Sequence, residues 1–222
     1  VAGKILREKS LGLVLGYQQK ISDTFRMNYV VGTQKTYNND YTDFAIANGF
    51  GGGQYGVNKR VEAGINLYAT QDGTETTVEI EPNIKYRALD QDKFGVDVAV
   101  GAVAYVPIVR SADSKASAML YTVATRKFAS AKNLALTGGV YRVVGGTADM
   151  GTRTGILVGA QQPVTKRLTL MADWTSGKNR FGYSNAGFGY AVTSKQYLMV
   201  GYSFGNSGRA NNFLNLYYGF TF

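Results

Sequence analysis

The final stretch of the chain, Asn211 to Phe222, places apolar or aromatic side chains at every second position. Successive side chains of a strand point to opposite faces, so this spacing predicts a strand with one apolar face. That face carries Leu214, Leu216, Tyr218, Phe220 and Phe222. In water, such a strand would tend to pair edge to edge with other chains. The pattern therefore favours a strand that is paired along both edges and whose apolar face contacts lipid.

The same alternation recurs along the chain and predicts many further strands. Clear examples are the stretches 61–69, 78–86, 94–106, 117–128, 134–144, 152–162, 167–175, 181–192 and 196–204. Leu11 to Val31 fits either one long strand with a polar middle or a hairpin that turns near Ser22 and Asp23. Thr42 to Val57 is predicted as a strand with a bulge where glycines interrupt the alternation.

Tight polar turns alternate along the chain with longer loops rich in Gly, Asn, Asp and Ser. This alternation is typical of a transmembrane barrel with short periplasmic turns and longer outer loops, and counting back from the C-terminus gives about twelve strands (roughly 10–14). We therefore expect one domain, residues 1–222, folded as an all-β, closed, antiparallel transmembrane β-barrel. Residues 1–20 are expected to be either a lead-in segment, which could enter the lumen, or part of the first strand. The opening residues Val1 to Lys4 lack the apolar segment of a signal peptide, so an exported protein is expected here in its mature form.

Composition separates this prediction from a soluble barrel. Charged residues make up 18% of the chain, whereas the surface of a soluble domain alone usually carries about 25–35%. A soluble, lipocalin-like barrel would point its apolar face inward and carry dense charge outside. Here the faces opposite the aliphatic residues carry Gly, Asn, Thr, Tyr and a limited number of charges. The soluble ligand-binding barrel is therefore the third hypothesis.

Two segments resemble a known class of protein. The aromatic strand that ends in Phe222 resembles the C-terminal targeting strand of bacterial outer-membrane β-barrels. The hairpin YGVNKRVEAG, from Tyr55 to Gly64, resembles a pattern of small porin-like barrels. The resemblance implies an integral protein of the outer membrane of a diderm bacterium, in contact with lipids and lipopolysaccharide, which the barrel-assembly machinery inserts. It also implies membrane-interface or targeting roles for Trp174, Tyr218, Phe220 and Phe222.

The residue inventory limits the possible chemistry. The chain has no histidine and no cysteine, which removes Ser–His and Asp–His catalysis, thiolate metal sites and disulfides. We therefore expect no enzymatic activity, no cofactor and no metal. Gly51-x-Gly53-x-x-Gly56 matches a dinucleotide fingerprint in its letters alone, because an alternating strand follows it instead of a helix.

Other candidate sites also have simpler explanations. Glu79 and Glu81 could form a glycosidic acid pair, but Lys85 and Arg87 on the same face indicate a charge ladder in a lumen. A polar loop could bind calcium through Asn38, Asn39, Asp40 and Asp43, although such loops are more often simply solvated. The basic residues are scattered, which argues against nucleic-acid binding.

The function expected first is a passive pore for small solutes, and the alternative is a non-conducting structural or assembly barrel: an anchor, an adhesin or a subunit of a larger surface structure. The candidate pore-lining residues are Glu62, Asn66, Glu79, Glu81, Lys85, Arg87, Arg167 and Asp173. Their charges nearly balance, so the net charge of +9 is expected mainly in turns, loops and the N-terminal segment. Such a pore would show at most a mild anion preference, which salt would weaken.

Overall fold

The structure is a computed structural model that describes residues 12–34, 55–56, 60–72, 74–109, 114–208 and 212–221. Its strands are β1 (Gly12–Ser22), β2 (Phe25–Gln34), β3 (Tyr55–Gly56), β4 (Val61–Asp72), β5 (Glu75–Leu89), β6 (Asp97–Val109), β7 (Ser117–Phe128), β8 (Leu134–Gly145), β9 (Thr154–Pro163), β10 (Leu168–Thr175), β11 (Tyr183–Ala191), β12 (Gln196–Gly205) and β13 (Phe213–Thr221). A four-residue helix, α1 (Gln91–Phe94), and a 3₁₀ turn (Ala129–Ala131) lie between strands. No helix in these residues is long and apolar enough to span a membrane.

Twelve of the strands close into a ring, in the order β1, β2, β13 and then down to β4, which pairs back to β1. The predicted all-β, closed barrel of about twelve strands is confirmed. The short strand β3 pairs with the start of β4, with Tyr55 opposite Ala63, which agrees with the predicted hairpin. For the segment from Leu11 to Val31, the sequence allowed either one long strand or a hairpin. The structure shows a hairpin, because β1 and β2 pair antiparallel around a turn at residues 23–24.

Two of the interstrand pairings differ from the all-antiparallel expectation. β1 pairs with β4, and β2 pairs with β13, and both pairs are parallel. The reason is the placement of the β1–β2 hairpin, which presents its first strand to β4 and its second strand to β13. The reverse placement would have made every pair antiparallel. Alternation fixes which side chains face inward, but it does not fix which edge of a hairpin meets which neighbour.

The two ends of the barrel differ in their connections. One end, named here the turn end, carries the connections 90–96, 129–133, 164–167 and 192–195, and β13 also finishes there. The other, named the loop end, carries the turns after β1 and β4 and the connections 110–116, 146–153, 176–182 and 206–212. From β6 onward, shorter turns and longer loops lie at opposite ends as predicted, but the two-residue turns after β1 and β4 lie at the loop end and the seven-residue connection 90–96 lies at the turn end.

Local chemistry explains how the chain reverses at the turn end. The Asp90 side chain accepts a hydrogen bond from the Asp92 N–H at 3.0 Å and so caps α1, and Gly95 ends that helix in the left-handed region at φ 75°. Lys132 and Asn133 also have positive φ values, 53° and 62°. Asparagine tolerates this region better than most residues.

Several predictions concern positions outside the described residues. These are most of the strand predicted from Thr42 to Val57, the loop with Asn38 to Asp43, and Gly51 and Gly53. Residues 1–11 and Phe222 are also outside the described residues.

Candidate functional site

The inner surface of the barrel has a polar wall on β4 and β5. Lys85 Nζ lies 2.8 Å from Glu62 Oε2, and the two side chains are 5% and 3% exposed. These residues are direct cross-strand partners, as are Asn66 and Glu81, whose side chains hydrogen-bond at 3.0 Å. The paired register therefore places opposite charges and an amide–carboxylate pair side by side.

The polar wall continues toward both ends of the barrel. Near the turn end, Arg87 Nε donates to Asp97 Oδ1 at 3.0 Å, and the Arg87 guanidinium also lies 3.2 Å from Asp90. Near the loop end, Arg180 donates to Glu79 Oε1 at 2.8 Å and makes a second bond to Oε2. Four charged residues of β5 thus find partners on β4, on β6 and on the connection 176–182, namely Glu79, Glu81, Lys85 and Arg87.

An apolar core lines the part of the interior next to the polar wall, on β6 to β9. Nine buried residues form it, and Ala99 and Met119 have no exposed surface. The members are Ala99, Val103, Tyr105, Met119, Val123, Tyr141, Val143, Leu157 and Phe181. Eight of these residues belong to β6 through β9, and Phe181 comes from the connection 176–182. Packed apolar side chains therefore fill this side of the barrel.

The connection 176–182, named here the cap, folds onto the barrel mouth. The Phe181 ring packs against Tyr105 with centroids 4.9 Å apart, and the Arg180 guanidinium lies 4.9 Å from the Tyr105 centroid. Stacking of a guanidinium on an aromatic ring adds cation–π attraction to its ion pair. Arg180 and Phe181 thereby join the polar wall to the apolar core across the mouth.

Asparagines hold the cap in this shape. Asn179 Nδ2 donates to Tyr141 Oη at 2.8 Å, and Asn179 Oδ1 accepts from the Phe181 N–H at 2.8 Å. Asn206 Nδ2 donates to the carbonyls of Thr175 at 2.8 Å and Gly177 at 3.0 Å. Gly177 has φ 97°, a conformation that side chains other than glycine rarely adopt.

A third feature of the interior is a hydrogen-bonded chain beside the parallel pairings. Tyr68 donates to Asn28, Asn28 Nδ2 donates to Asn215 Oδ1 at 2.7 Å, and Asn215 Nδ2 donates to Ser203 Oγ at 2.9 Å. The chain links β4, β2, β13 and β12. It fixes the β1–β2 hairpin in the ring with directional bonds between buried groups.

A cavity of about 490 Å³ opens at the loop end and is lined in part by the cap. Its lining includes the cations Lys115, Lys178 and Arg180 and the anions Glu79 and Asp149. A hydrogen bond from the Thr147 side chain lowers the pKa of the Asp149 carboxyl, and the charge of Lys115 lowers it further. The Asp149 carboxyl is therefore ionised at neutral pH.

The outer surface of the barrel is apolar. Leu120, Leu136, Val140, Ile156 and Leu170 are exposed, at 44–57% of their surface. In the described strands, the charged residues of outward parity are Arg126 and Arg142. Arg126 lies toward the turn end, stacked 5.2 Å from the Phe128 ring centroid, and Arg142 lies toward the loop end. The two arginines bracket an uncharged band.

Most of the sequence-predicted site residues lie on the inner face of a strand. Glu62, Asn66, Glu81 and Lys85 are buried there, while Glu79, Arg87 and Asp173 are partly buried, with Asp173 accepting a hydrogen bond from Asn185. Arg167 differs, because it lies in the exposed turn between β9 and β10. A pore-lining role stays a prediction for all eight.

The residues expected at the membrane interface have the predicted outward parity where they are described. Trp174 is 37% exposed near the loop end, and Tyr218 is partly exposed. Phe220 belongs to β13, but its side chain is not described, and Phe222 is outside the described residues.

Sequence reasoning missed the cap and the hydrogen-bonded chain. Arg180 lies in a connection, where no alternation indicates direction, and Phe181, which the sequence predicted as the first residue of a strand, lies in the same connection because β11 begins at Tyr183. Asn28 and Asn215 do have the inward parity of their strands, so parity could have placed them on the inner face. Their contact depends on the parallel pairing of β2 with β13, which parity does not reveal.

Comparison with known proteins found no matching family model, no matching curated protein and no matching solved structure. The closed barrel is compatible with the resemblance to outer-membrane barrels, but no match supports a narrower family.

Proposed function

We propose that this protein is an integral β-barrel of the outer membrane of a diderm bacterium. The support is the uncharged outward band between Arg126 and Arg142, together with a ring that leaves no open edge. Within lipid, every backbone polar group must find a partner inside the protein, and a closed barrel meets that requirement. An arginine at each border of the band can extend its head group to the membrane surface.

In this proposal the barrel is non-conducting and acts through its loop end, as an anchor, an adhesin or a subunit of a surface structure. One observation carries this choice. Arg180 and Phe181 cross the mouth and pack on a core of buried apolar side chains. A wide water-filled pore would wet those side chains, at a cost of about 25 cal/mol for each Å² of apolar surface exposed.

The proposed partners follow from the same assignment. Lipids and lipopolysaccharide would contact the outward band, and the barrel-assembly machinery would recognise β13 during insertion. Both proposals rest on the resemblance of the final strand and on the outward parity of Leu214, Leu216 and Tyr218.

A passive pore for small solutes is the second candidate, and the polar wall favours it. Glu79, Glu81, Lys85 and Arg87 follow one another along β5 from the loop end to the turn end. Charged groups along one wall can provide a path for hydrated solutes. This pore would show at most a mild anion preference, as the sequence predicts.

Planar-bilayer recording separates the two candidates. The chain has a single tryptophan, Trp174, so quenching of its fluorescence by brominated lipid first confirms insertion. We then expect no conductance steps from the inserted protein. Reproducible conductance steps with a mild anion preference would favour the pore over the non-conducting barrel. A strong cation preference would also contradict the inward assignment of the basic residues.

A further inference from the structure

The cavity at the loop end has the composition of a ligand site. Its volume of about 490 Å³ lies within the range of roughly 300–1,000 Å³ that small-molecule sites occupy. The lining combines hydroxyl groups from Ser114, Thr147 and Ser207 with apolar surface from Pro107 and Met150. Hydroxyl groups beside apolar surface suit a compact hydroxylated molecule, whose ring has both polar and apolar faces.

The charges of the cavity favour an anion. Glu79 is engaged by both terminal nitrogens of Arg180, which leaves Lys115 and Lys178 facing the single carboxylate of Asp149. Neither lysine belongs to an ion pair in the described part of the chain. A ligand carboxylate or phosphate would supply the missing negative charge through charge-assisted hydrogen bonds.

Part of the cavity lining is preorganised. Two hydrogen bonds join Glu79 to Arg180. The backbone of Lys178 is held in place, because its carbonyl accepts from the Thr152 N–H at 3.2 Å and its N–H donates to the Thr152 hydroxyl at 3.2 Å. Binding therefore orders mainly the two lysine side chains, which limits its entropic cost.

We propose that this cavity binds a small acidic sugar, a hydroxylated ring that carries one carboxylate or phosphate. The site rests on the proposed function in one respect, namely that the loop end is the working face of the barrel. Lys115 and Lys178 neutralise the acidic group, and the hydroxyl groups of Ser114, Thr147 and Ser207 contact the ring hydroxyls.

Isothermal titration calorimetry on the full-length barrel folded in detergent tests the proposal. The probes are glucuronate, glucose 6-phosphate and uncharged glucose. We expect at least one of the two acidic probes to bind about tenfold more tightly than glucose, and more weakly as salt rises. The preferred acidic probe identifies carboxylate or phosphate as the recognised group.

Two double variants localise the binding. Lys115→Gln with Lys178→Gln should weaken the preferred acidic probe by about tenfold or more. Lys166→Gln with Lys195→Gln removes the same charge from exposed turns at the opposite end and should leave its affinity unchanged. Equal losses in both double variants, equal affinity for glucose, or no binding of either acidic probe would overturn the proposal.

Bilayer recordings keep this result separate from the proposed function. Conductance steps together with site-specific binding would overturn the proposal of a non-conducting barrel and retain the sugar site. If the bilayers show no conductance and no acidic probe binds, the non-conducting barrel is retained and the sugar site is ruled out.

Discussion

At the scale of the residue, inward-facing tyrosines lie flat over glycines of the neighbouring strand. Tyr68 crosses Gly16 in this way to reach Asn28, and a Cβ added at Gly16 would overlap the Tyr68 ring. We expect Gly16→Ala to displace that ring and lower the free energy of unfolding by about 1–3 kcal/mol. Urea titration of the barrel folded in lipid vesicles measures the effect. Gly138→Ala is the control, since a Cβ there meets nothing within 4 Å, and an equal loss from both would contradict the packing described for Tyr68.

The buried Glu62–Lys85 pair gives a second prediction at this scale. Lys85→Met leaves the Glu62 carboxylate buried without its cation, which typically costs about 3–5 kcal/mol. Removing both charges, with Glu62→Gln and Lys85→Met together, also removes the buried carboxylate and should cost at least 1 kcal/mol less, by a rough estimate. The same urea titration compares them. Additive losses would show that the ion pair contributes little.

At the scale of the element, sequence alternation predicted the strands and their faces because the side-chain period of a strand is local. It also placed Glu62 and Lys85 on the inner face, although their direct pairing depends on the register of β4 with β5. It could not place β1 beside β4, because that contact depends on how a completed hairpin enters the ring. It also could not predict that Arg180 points inward, because its partners Glu79 and Tyr105 are distant in sequence.

The last strand gives a prediction about assembly. Phe220→Asp, or deletion of Phe222, should reduce insertion, because each change removes an aromatic residue of the targeting pattern and Phe220→Asp also adds a charge to the apolar face that the sequence predicts. An Arg or Lys on a lipid-facing position costs about 2–4 kcal/mol at mid-membrane. An Asp costs less, and any charge costs less near the interface. The added charge therefore explains only part of the expected loss of insertion, and loss of recognition must explain the remainder. The protein in outer-membrane fractions is quantified by immunoblot. Phe94→Asp, at a residue 61% exposed at the turn end, is the matched control. Normal membrane levels of both altered final strands would contradict a targeting role.

At the scale of the whole molecule, polarity is inverted relative to a soluble barrel. Ion pairs and amides lie inside on β4, β5, β2 and β13, while exposed aliphatic side chains cover the outside. The chain's 18% charged content made this arrangement predictable in outline. The division of the interior into a polar wall and an apolar core was not predicted, and it follows from the inner faces of neighbouring strands, which carry charges on β4 and β5 and apolar side chains on β6 to β9.

One substitution separates a membrane barrel from a soluble one. Val140 points outward from the middle of β8 and is 57% exposed. If lipid surrounds it, Val140→Lys should destabilise the folded barrel in vesicles by about 2–4 kcal/mol. In a soluble barrel the same exposed position would tolerate lysine within about 0.5 kcal/mol. Val164→Lys, in a turn-end residue that is 53% exposed, controls for the general effect of an added charge. Urea titration in vesicles, with unboiled and boiled samples compared on a detergent gel, gives the stability and the folded fraction. A tolerated lysine at Val140, or a protein that stays monomeric in water without detergent, would contradict the lipid-facing assignment.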